Sequence, residues 1–202
     1  MGIMNLGYVI LEMQDPAKWS KFAQDILGFG EAESFGEIGT KYLRMDNAPF
    51  RYMVRKGNKD RFLAGGYEIS SKSDFENQIE LFEGSGIDVY RGTKAEADCR
   101  AVEAFVSVKD PSGNTVEIFY GRAPDKSFLP GHGIRKFITG AMGLGHMVLP
   151  APENETTISF YEDLMGFGVS DDLTLPAFAP EMPEQRIYFM HSDNPRHHTL
   201  GL

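Results

Sequence analysis

The apolar positions of this chain change period in a fixed order. A short β-rich run, "GYVIL" at residues 7 to 11, gives way to apolar positions at helical spacing: Trp19, Phe22, Ala23, Ile26 and Leu27. Two strand-like runs follow, "KYLRM" and "FRYMV", around a "DNAP" that reads as a hairpin connection. Asp15 stands where an N-cap belongs, Pro16 takes the first helical position and Gly28 the stop. The pattern predicts a strand, a helix and then further strands.

The same order returns twice. "FLAGGYEI" reads as a strand, and "SDFENQIELFEGSG" as a helix with a capping box at Ser73 and Glu76, an apolar face of Phe75, Ile79 and Phe82, and Gly84 as its stop. "IDVY" and "AFVSVKDPSGNTVEIFYG" supply strands, the last two turned by "DPSGN". The third unit opens with "GLGHMVL" and runs through a helix "TTISFYEDLM" stopped by Gly166. It ends in the strands "RIYFMH" and "RHHTLGL" around "SDNP", with a longer loop in "LTLPAFAPEMPEQ".

The first and third units are copies. Residues 6 to 30 lie over 144 to 168 without a gap at an offset of 138, and Leu6, Gly7, Leu11, Phe22, Asp25, Gly28, Phe29 and Gly30 all meet identical residues. Tyr8 falls on His146. The expected fold is therefore α+β, built from tandem βαβββ modules. Two modules, about 1–60 and 61–122, form a domain over 1–135, with "APDKSFLPGHG" as a linker. Residues 136–202 hold the first module of a second domain. Matching Tyr42 to Tyr188 and Pro49 to Pro195 lays Leu202 on Lys56, just before the second module begins near Phe62, so a fourth module is expected to follow.

Composition excludes several partners. With 42% hydrophobic and 24% charged residues the chain is globular rather than disordered. A net charge of −9 with no gathering of Lys and Arg argues against nucleic acid. The single cysteine, Cys99, rules out an intrachain disulfide, and no apolar run approaches the ~20 residues of a membrane span. The opening residues lack the features of a secretion signal, so the expected location is cytoplasmic.

Spacing alone leaves the histidines open. A lone His in an apolar strand, as at His146, is more often a hydrogen-bonded core residue than a ligand. His197 and His198 are neighbours on an expected strand, so they face opposite ways and one at most looks into a site. Core packing explains Val148 and Phe189 as well as a place on a pocket wall does, and His132 and His191, near turns, read as solvated.

"FITGAMGLGHMVLPAPENETTISFYEDLMGFGVSD", followed by "NPRHHT", resembles the type I extradiol ring-cleavage dioxygenases of the vicinal oxygen chelate superfamily, in particular the 2,3-dihydroxybiphenyl 1,2-dioxygenase group. The likeness covers the whole chain. "DPSGNTVEI" marks only the superfamily, which includes glyoxalases and antibiotic-binding proteins. The resemblance implies a metal-free first pair of modules and a second pair holding Fe(II) through two His and one Glu. Such a triad leaves adjacent positions for a catechol-type substrate and O2. His146 matches the first metal ligand, His198 the acid-base residue, and Val148 and Phe189 the substrate pocket wall. The second His and the Glu are expected at about 211–213 and about 263, beyond Leu202. Glu117 matches a superfamily metal carboxylate but lies in the metal-free pair, where it reads as structural.

The implied function is extradiol cleavage of a catechol-type ring with Fe(II) and O2, by a site this chain leaves incomplete. The alternative is a non-catalytic, small-aromatic-binding or vestigial protein of the same fold. A glyoxalase-like enzyme sharing its site between subunits ranks behind both, because it does not account for "RHHT". An exposed apolar sheet face and an unpaired edge are expected after about residue 143, which predicts aggregation, dimerisation by strand exchange or partial disorder there, and a homo-oligomer is the expected state.

Overall fold

The computed structural model describes residues 2–177 and 185–202. The first unit consists of β1 (Ile3–Met13), α1 (Pro16–Asp25), β2 (Gly30–Glu31), β3 (Lys41–Arg44) and β4 (Tyr52–Lys56). The second consists of β5 (Arg61–Ile69), α2 (Lys72–Gly84), β6 (Tyr90–Arg91), α3 (Lys94–Cys99), β7 (Ala104–Lys109) and β8 (Thr115–Tyr120). The third holds β9 (Met147–Val148), α4 (Asn154–Ser159), a π-helical turn (Phe160–Leu164), β10 (Gly168–Leu175), β11 (Gln185–His191) and β12 (Leu200–Gly201).

Helix starts follow local chemistry. Asp15 Oδ1 accepts from the Lys18 backbone N–H at 3.0 Å and Pro16 opens α1, as the pattern predicts. Gly28 turns the chain away in the left-handed region, at φ 72°. The capping box expected at Ser73 and Glu76 is not the one used. Ser71 caps α2, accepting from Asp74 N–H at 3.1 Å, because the serine-rich approach offers an earlier hydroxyl with an acidic residue three positions on. A complete capping box joins Thr93 and Glu96 at the head of α3, a helix too short for periodicity to reveal. "IDVY" shrinks accordingly to the two residues of β6. The helix expected over "TTISFYEDLM" divides into α4 and the π-helical turn, and the wider turn brings the adjacent Phe160 and Tyr161 both into the core. Of the expected loop "LTLPAFAPEMPEQ", the first three residues belong to β10, and 178–184 lie outside the described residues.

Two sheets result. One has the order β2-β3-β4-β1-β5-β8-β7-β6, the other β10-β11-β12-β9. The smaller sheet repeats the topology of the first unit: β12 runs parallel to β9 as β4 runs parallel to β1. In the larger sheet β1 and β5 pair antiparallel, joining two units edge to edge. Among the described residues nothing pairs with the corresponding edge of β9.

One apolar cluster fills the space between the sheets. It includes Leu6, Tyr67, Ile79 and Ile118 from the first two units and Leu144, Met147, Tyr161, Met190 and Leu200 from the third. A second cluster, with Tyr8, Ile10, Phe50, Phe105 and Phe119, covers the other face of the larger sheet. The pairing of β1 with β5 shifts register between Leu6 and Tyr8. That bulge sends two residues that simple alternation would place together to opposite faces. No described helix is long and apolar enough to cross a membrane.

Candidate functional site

His146 is oriented as its repeat partner in β1 is. Leu6 and Val9 lie in the core between the sheets, and their repeat partners Leu144 and Met147 lie in the same core. Tyr8 faces away from that core, and its partner His146 is likewise turned out of it and exposed. Along the strand His146 and Val148 alternate with the buried Met147 and Leu149.

Backbone bonds hold this stretch on both sides. Leu144 N–H donates to the Leu6 carbonyl at 2.7 Å, and Leu149 N–H donates to the Gly201 carbonyl at 3.0 Å. Further along, Asn114 Nδ2 donates to the Pro150 carbonyl at 3.0 Å. The histidine strand is therefore pinned to both the larger sheet and its own.

His198 arrives by a different route. The expected strand "RHHTLGL" is reduced to β12, and residues 193–197 form a bent segment. Asn194 fixes the bend: its Nδ2 donates to the Met4 carbonyl at 2.7 Å and to Ser192 Oγ at 2.9 Å, while its Oδ1 accepts from Arg196 N–H at 2.9 Å. Arg196 Nη2 donates to the Ile138 carbonyl at 2.7 Å. Thr199, fully buried, donates its N–H to the Met190 carbonyl at 2.8 Å and places its Oγ1 3.0 Å from Ser192 Oγ.

Because the backbone bends, His197 and His198 do not take opposite sheet faces. Their Nδ1 atoms are 3.0 Å apart and their ring centroids 5.3 Å. The His198 ring lies 4.3 Å from that of His146 and 4.9 Å from that of Phe189, centroid to centroid. Phe189, Gly201 and Val148 stand abreast on β11, β12 and β9. Phe189 is half-buried, and Val148 is 60% exposed, which argues against reading it as core. The structure thus brings His146, His198, Phe189 and Val148 to one surface. His132 and His191 are exposed; His132 has the Gln24 carbonyl as its polar neighbour, and His191 has Ser170 Oγ, which donates to the His197 carbonyl at 2.5 Å.

Burial lowers the His198 pKa, and the nearby His146, His197 and Arg196 push it the same way, since a second positive charge there is disfavoured. Among the described residues no group of three or more His, Cys, Asp or Glu side chains is placed to hold a metal ion. His146 supplies one imidazole donor, with His198 beside it. Spacing in the sequence does not reveal the roles of Ser192, Asn194, Arg196 and Thr199, which shape the site from behind; the turn residues of "SDNP" were the signal for the first two, and Arg196 and Thr199 flank the histidines in "RHHT".

Residues 6–57 match a family model described as dihydroxybiphenyl dioxygenase BphC D1, and residues 143–201 match one for the glyoxalase/bleomycin resistance protein/dioxygenase superfamily. The chain is 32% identical over 206 residues to an iron-dependent extradiol dioxygenase of Rhodococcus jostii, covering 100% of this chain and 68% of that protein. It is 33% identical over 214 residues to biphenyl-2,3-diol 1,2-dioxygenase of Paraburkholderia xenovorans, covering 100% of this chain and 67% of that protein. The chain therefore spans about two thirds of these relatives. A solved structure of catechol 2,3-dioxygenase superposes with a TM-score of 0.89 at 30% identity, over 100% of this chain and 70% of that one.

Proposed function

The chain belongs to the extradiol dioxygenase family and has the vicinal oxygen chelate fold, and from that premise we propose that it contributes to the Fe(II)- and O2-dependent cleavage of a catechol-type ring. The observation that carries this reading is the placing of His146 and His198 4.3 Å apart beside Phe189 and Val148. These are the four residues whose counterparts the family resemblance makes ligand, acid-base group and pocket wall.

The described donors fit iron only in part, since a facial triad needs three protein ligands and His146 is one. The chain's own residues define the rest. Phe189 and Val148 offer an apolar wall to one face of an aromatic ring. His198 has its Nδ1 against His197, which leaves Nε2 to take a proton from a ring hydroxyl and return it later in the reaction. The same reading divides the chain near residue 135, into a metal-free part over 1–135 and a site-bearing part over 136–202. It also sets the working protein in the cytoplasm as a homo-oligomer that does not bind nucleic acid, in keeping with its charge of −9 and with the exposed Val148 on β9, whose outer edge pairs with no strand among the described residues.

The donor count favours one second reading, a non-catalytic protein that binds a small aromatic on the same surface. Anaerobic Fe(II) titration, then O2 uptake with 2,3-dihydroxybiphenyl and 3-methylcatechol, separates the two. Where a second copy of the chain supplies the other two ligands, the dioxygenase reading expects about one iron per chain, lost in His146→Ala, and ring fission slowed by roughly 10²–10⁴ in His198→Gln with iron still bound. Catechol binding without ring fission in the presence of Fe(II) and O2 establishes the binding protein instead.

A further inference from the structure

The segment between the second and third units folds back onto the first unit and is held there at several points. Lys126 N–H donates to the Asn47 carbonyl at 2.8 Å, and Phe128 N–H donates to Asn47 Oδ1 at 3.1 Å. Arg44 Nη2 donates to the Lys126 carbonyl, and the same guanidinium lies 5.2 Å from the centroid of the Phe128 ring. Gly131 N–H donates to the Gly28 carbonyl at 2.9 Å. The Phe137 ring meets that of Phe29 edge-on at 5.4 Å, and Gly140 N–H donates to Asp46 Oδ2 at 3.0 Å.

Between these ties the segment encloses a cavity of about 630 Å³ against the connection from β3 to β4. That is within the ~300–1,000 Å³ of ordinary small-molecule pockets. Its lining is of two kinds. Phe128, Phe137, Ile138 and Met142 give it apolar walls, whereas Arg51, Arg122, Arg135 and Lys136 set four cations against the two carboxylates of Asp46 and Asp125. Asp46 is taken up by Arg51 at 2.6 Å, and Asp125 by Arg122 at 2.5 Å. The surplus positive charge therefore sits with Arg135 and Lys136, both exposed, in a chain whose net charge is −9.

Apolar walls beside surplus cations favour a ligand with a flat apolar body and one anionic end. We propose that this cavity is a binding site for a small aromatic carboxylate, its ring against Phe128 and Phe137 and its charge toward Arg135 and Lys136. None of His146, Val148, Phe189 and His198 lines it, so it is distinct from the histidine surface and independent of how that surface is read. The two are nevertheless joined. Residues 138–142 form one wall, and Arg196, two residues before His198, donates to the Ile138 carbonyl from Nη2 at 2.7 Å and to the Met142 carbonyl from Nε at 3.4 Å. A ligand in the cavity braces the segment that leads into β9.

The test titrates benzoate into the full chain by calorimetry and locates it by the backbone amide shifts of the isotope-labelled protein. Acetate carries the charge without the ring, benzyl alcohol the ring without the charge, and inorganic phosphate more charge with no apolar body. Benzoate should bind once per chain, with its largest shifts at Thr139 and Gly140, and about tenfold or more tightly than each of the other three. Joint Arg135→Gln and Lys136→Gln substitution should weaken it about tenfold and leave the urea midpoint in place, because both side chains are exposed. His198→Gln should leave benzoate affinity unchanged. Phosphate binding as tightly as benzoate would mean an anion site with no use for the apolar walls, and overturns the proposal. So does benzoate binding that survives the double substitution, that shifts chiefly Phe189 and His198, or that does not saturate in the millimolar range.

Discussion

Gly65 and Gly66 are adjacent on β5 and face opposite ways, and their missing side chains serve different neighbours. At Gly65 a Cβ would meet the Met147 thioether, 2.4 Å from Cε and 2.5 Å from Sδ, the far end of a flexible side chain. At Gly66 it would meet the Tyr8 ring, which stacks on Phe119 at 4.9 Å and is tied by its hydroxyl to Glu117. A rigid obstacle costs more than a flexible one. Gly66→Ala should destabilise the chain by about 1–3 kcal/mol, in the range for overpacking, and Gly65→Ala by clearly less. Urea midpoints decide it, and equal losses would mean that the Tyr8 ring yields as readily as a methionine tip. Neither role was legible in "FLAGGYEI", whose pattern gives a strand but not its distant partners. The same holds at the histidines: His146 and His198 stand out in the sequence through the family resemblance, whereas their meeting depends on Asn194 and Thr199 bending and anchoring the chain. Alternation predicted opposite faces for His197 and His198 because it presumes an extended strand, and residues 193–197 are not extended in that way.

The elements are held in place by polar ties that no single element contains. The connection between β3 and β4 carries Asp46, and buried Arg51 donates to it from Nε at 3.1 Å and from Nη2 at 2.6 Å. Arg51 Nη1 also donates to the Gly7 carbonyl at 2.9 Å, at the bulge of β1. Gly140, on the approach to the histidine strand, donates its N–H to Asp46 Oδ2 at 3.0 Å and accepts from Arg51 Nη2 at 3.2 Å. Burial alone would raise the Asp46 pKa. The bonds and charge of Arg51, helped by Gly140 and Thr139, outweigh it and hold the carboxyl below its ordinary value of 3.8. A depressed folded pKa gives stability that is full above the unfolded value and is lost as pH falls through 3.8 toward the folded one. Asp46→Asn should therefore cost about 3 kcal/mol at pH 7, by leaving Arg51 without its counter-charge, and progressively less below pH ~4. Urea midpoints of both proteins from pH 3 to 7 test this; a gap independent of pH would show that the ionised carboxylate is not what holds the clamp. The hairpin that presents Asp46 was legible from two alternating runs around "DNAP". Its charge partners were not, because the approach to β9 is distant in sequence. Helix α3 escaped for the opposite reason, since six residues carry too little periodicity to register.

At the scale of the whole molecule the repeat was the most legible feature, and the strand order repeats with it: β10-β11-β12-β9 retraces β2-β3-β4-β1. What the repeat did not disclose is that the two sheets share a core. Leu6, Tyr67 and Ile118 lie in one cluster with Met147, Met190 and Leu200, because the bulge in β1 gives the larger sheet an apolar face toward the third unit. Residues that share a fully desolvated core lose their contacts together, so the two sheets should unfold in one transition. Met190, on β11 and fully buried, is the probe for this. Met190→Ala should cost about 2–5 kcal/mol, the range for buried large-to-small changes. Trp19, the chain's single tryptophan, packs on Tyr52 in the first unit and reports on the larger sheet. Its fluorescence midpoint in urea should fall with the substitution, in step with loss of exchange protection at the Thr199 and Leu202 amides, which bond to Met190 O and Tyr188 O in the smaller sheet. A Trp19 transition left in place while those amides exchange would mean that the histidine-bearing sheet opens separately. The surface that joins His146 to His198 would then depend on the smaller sheet alone for its geometry.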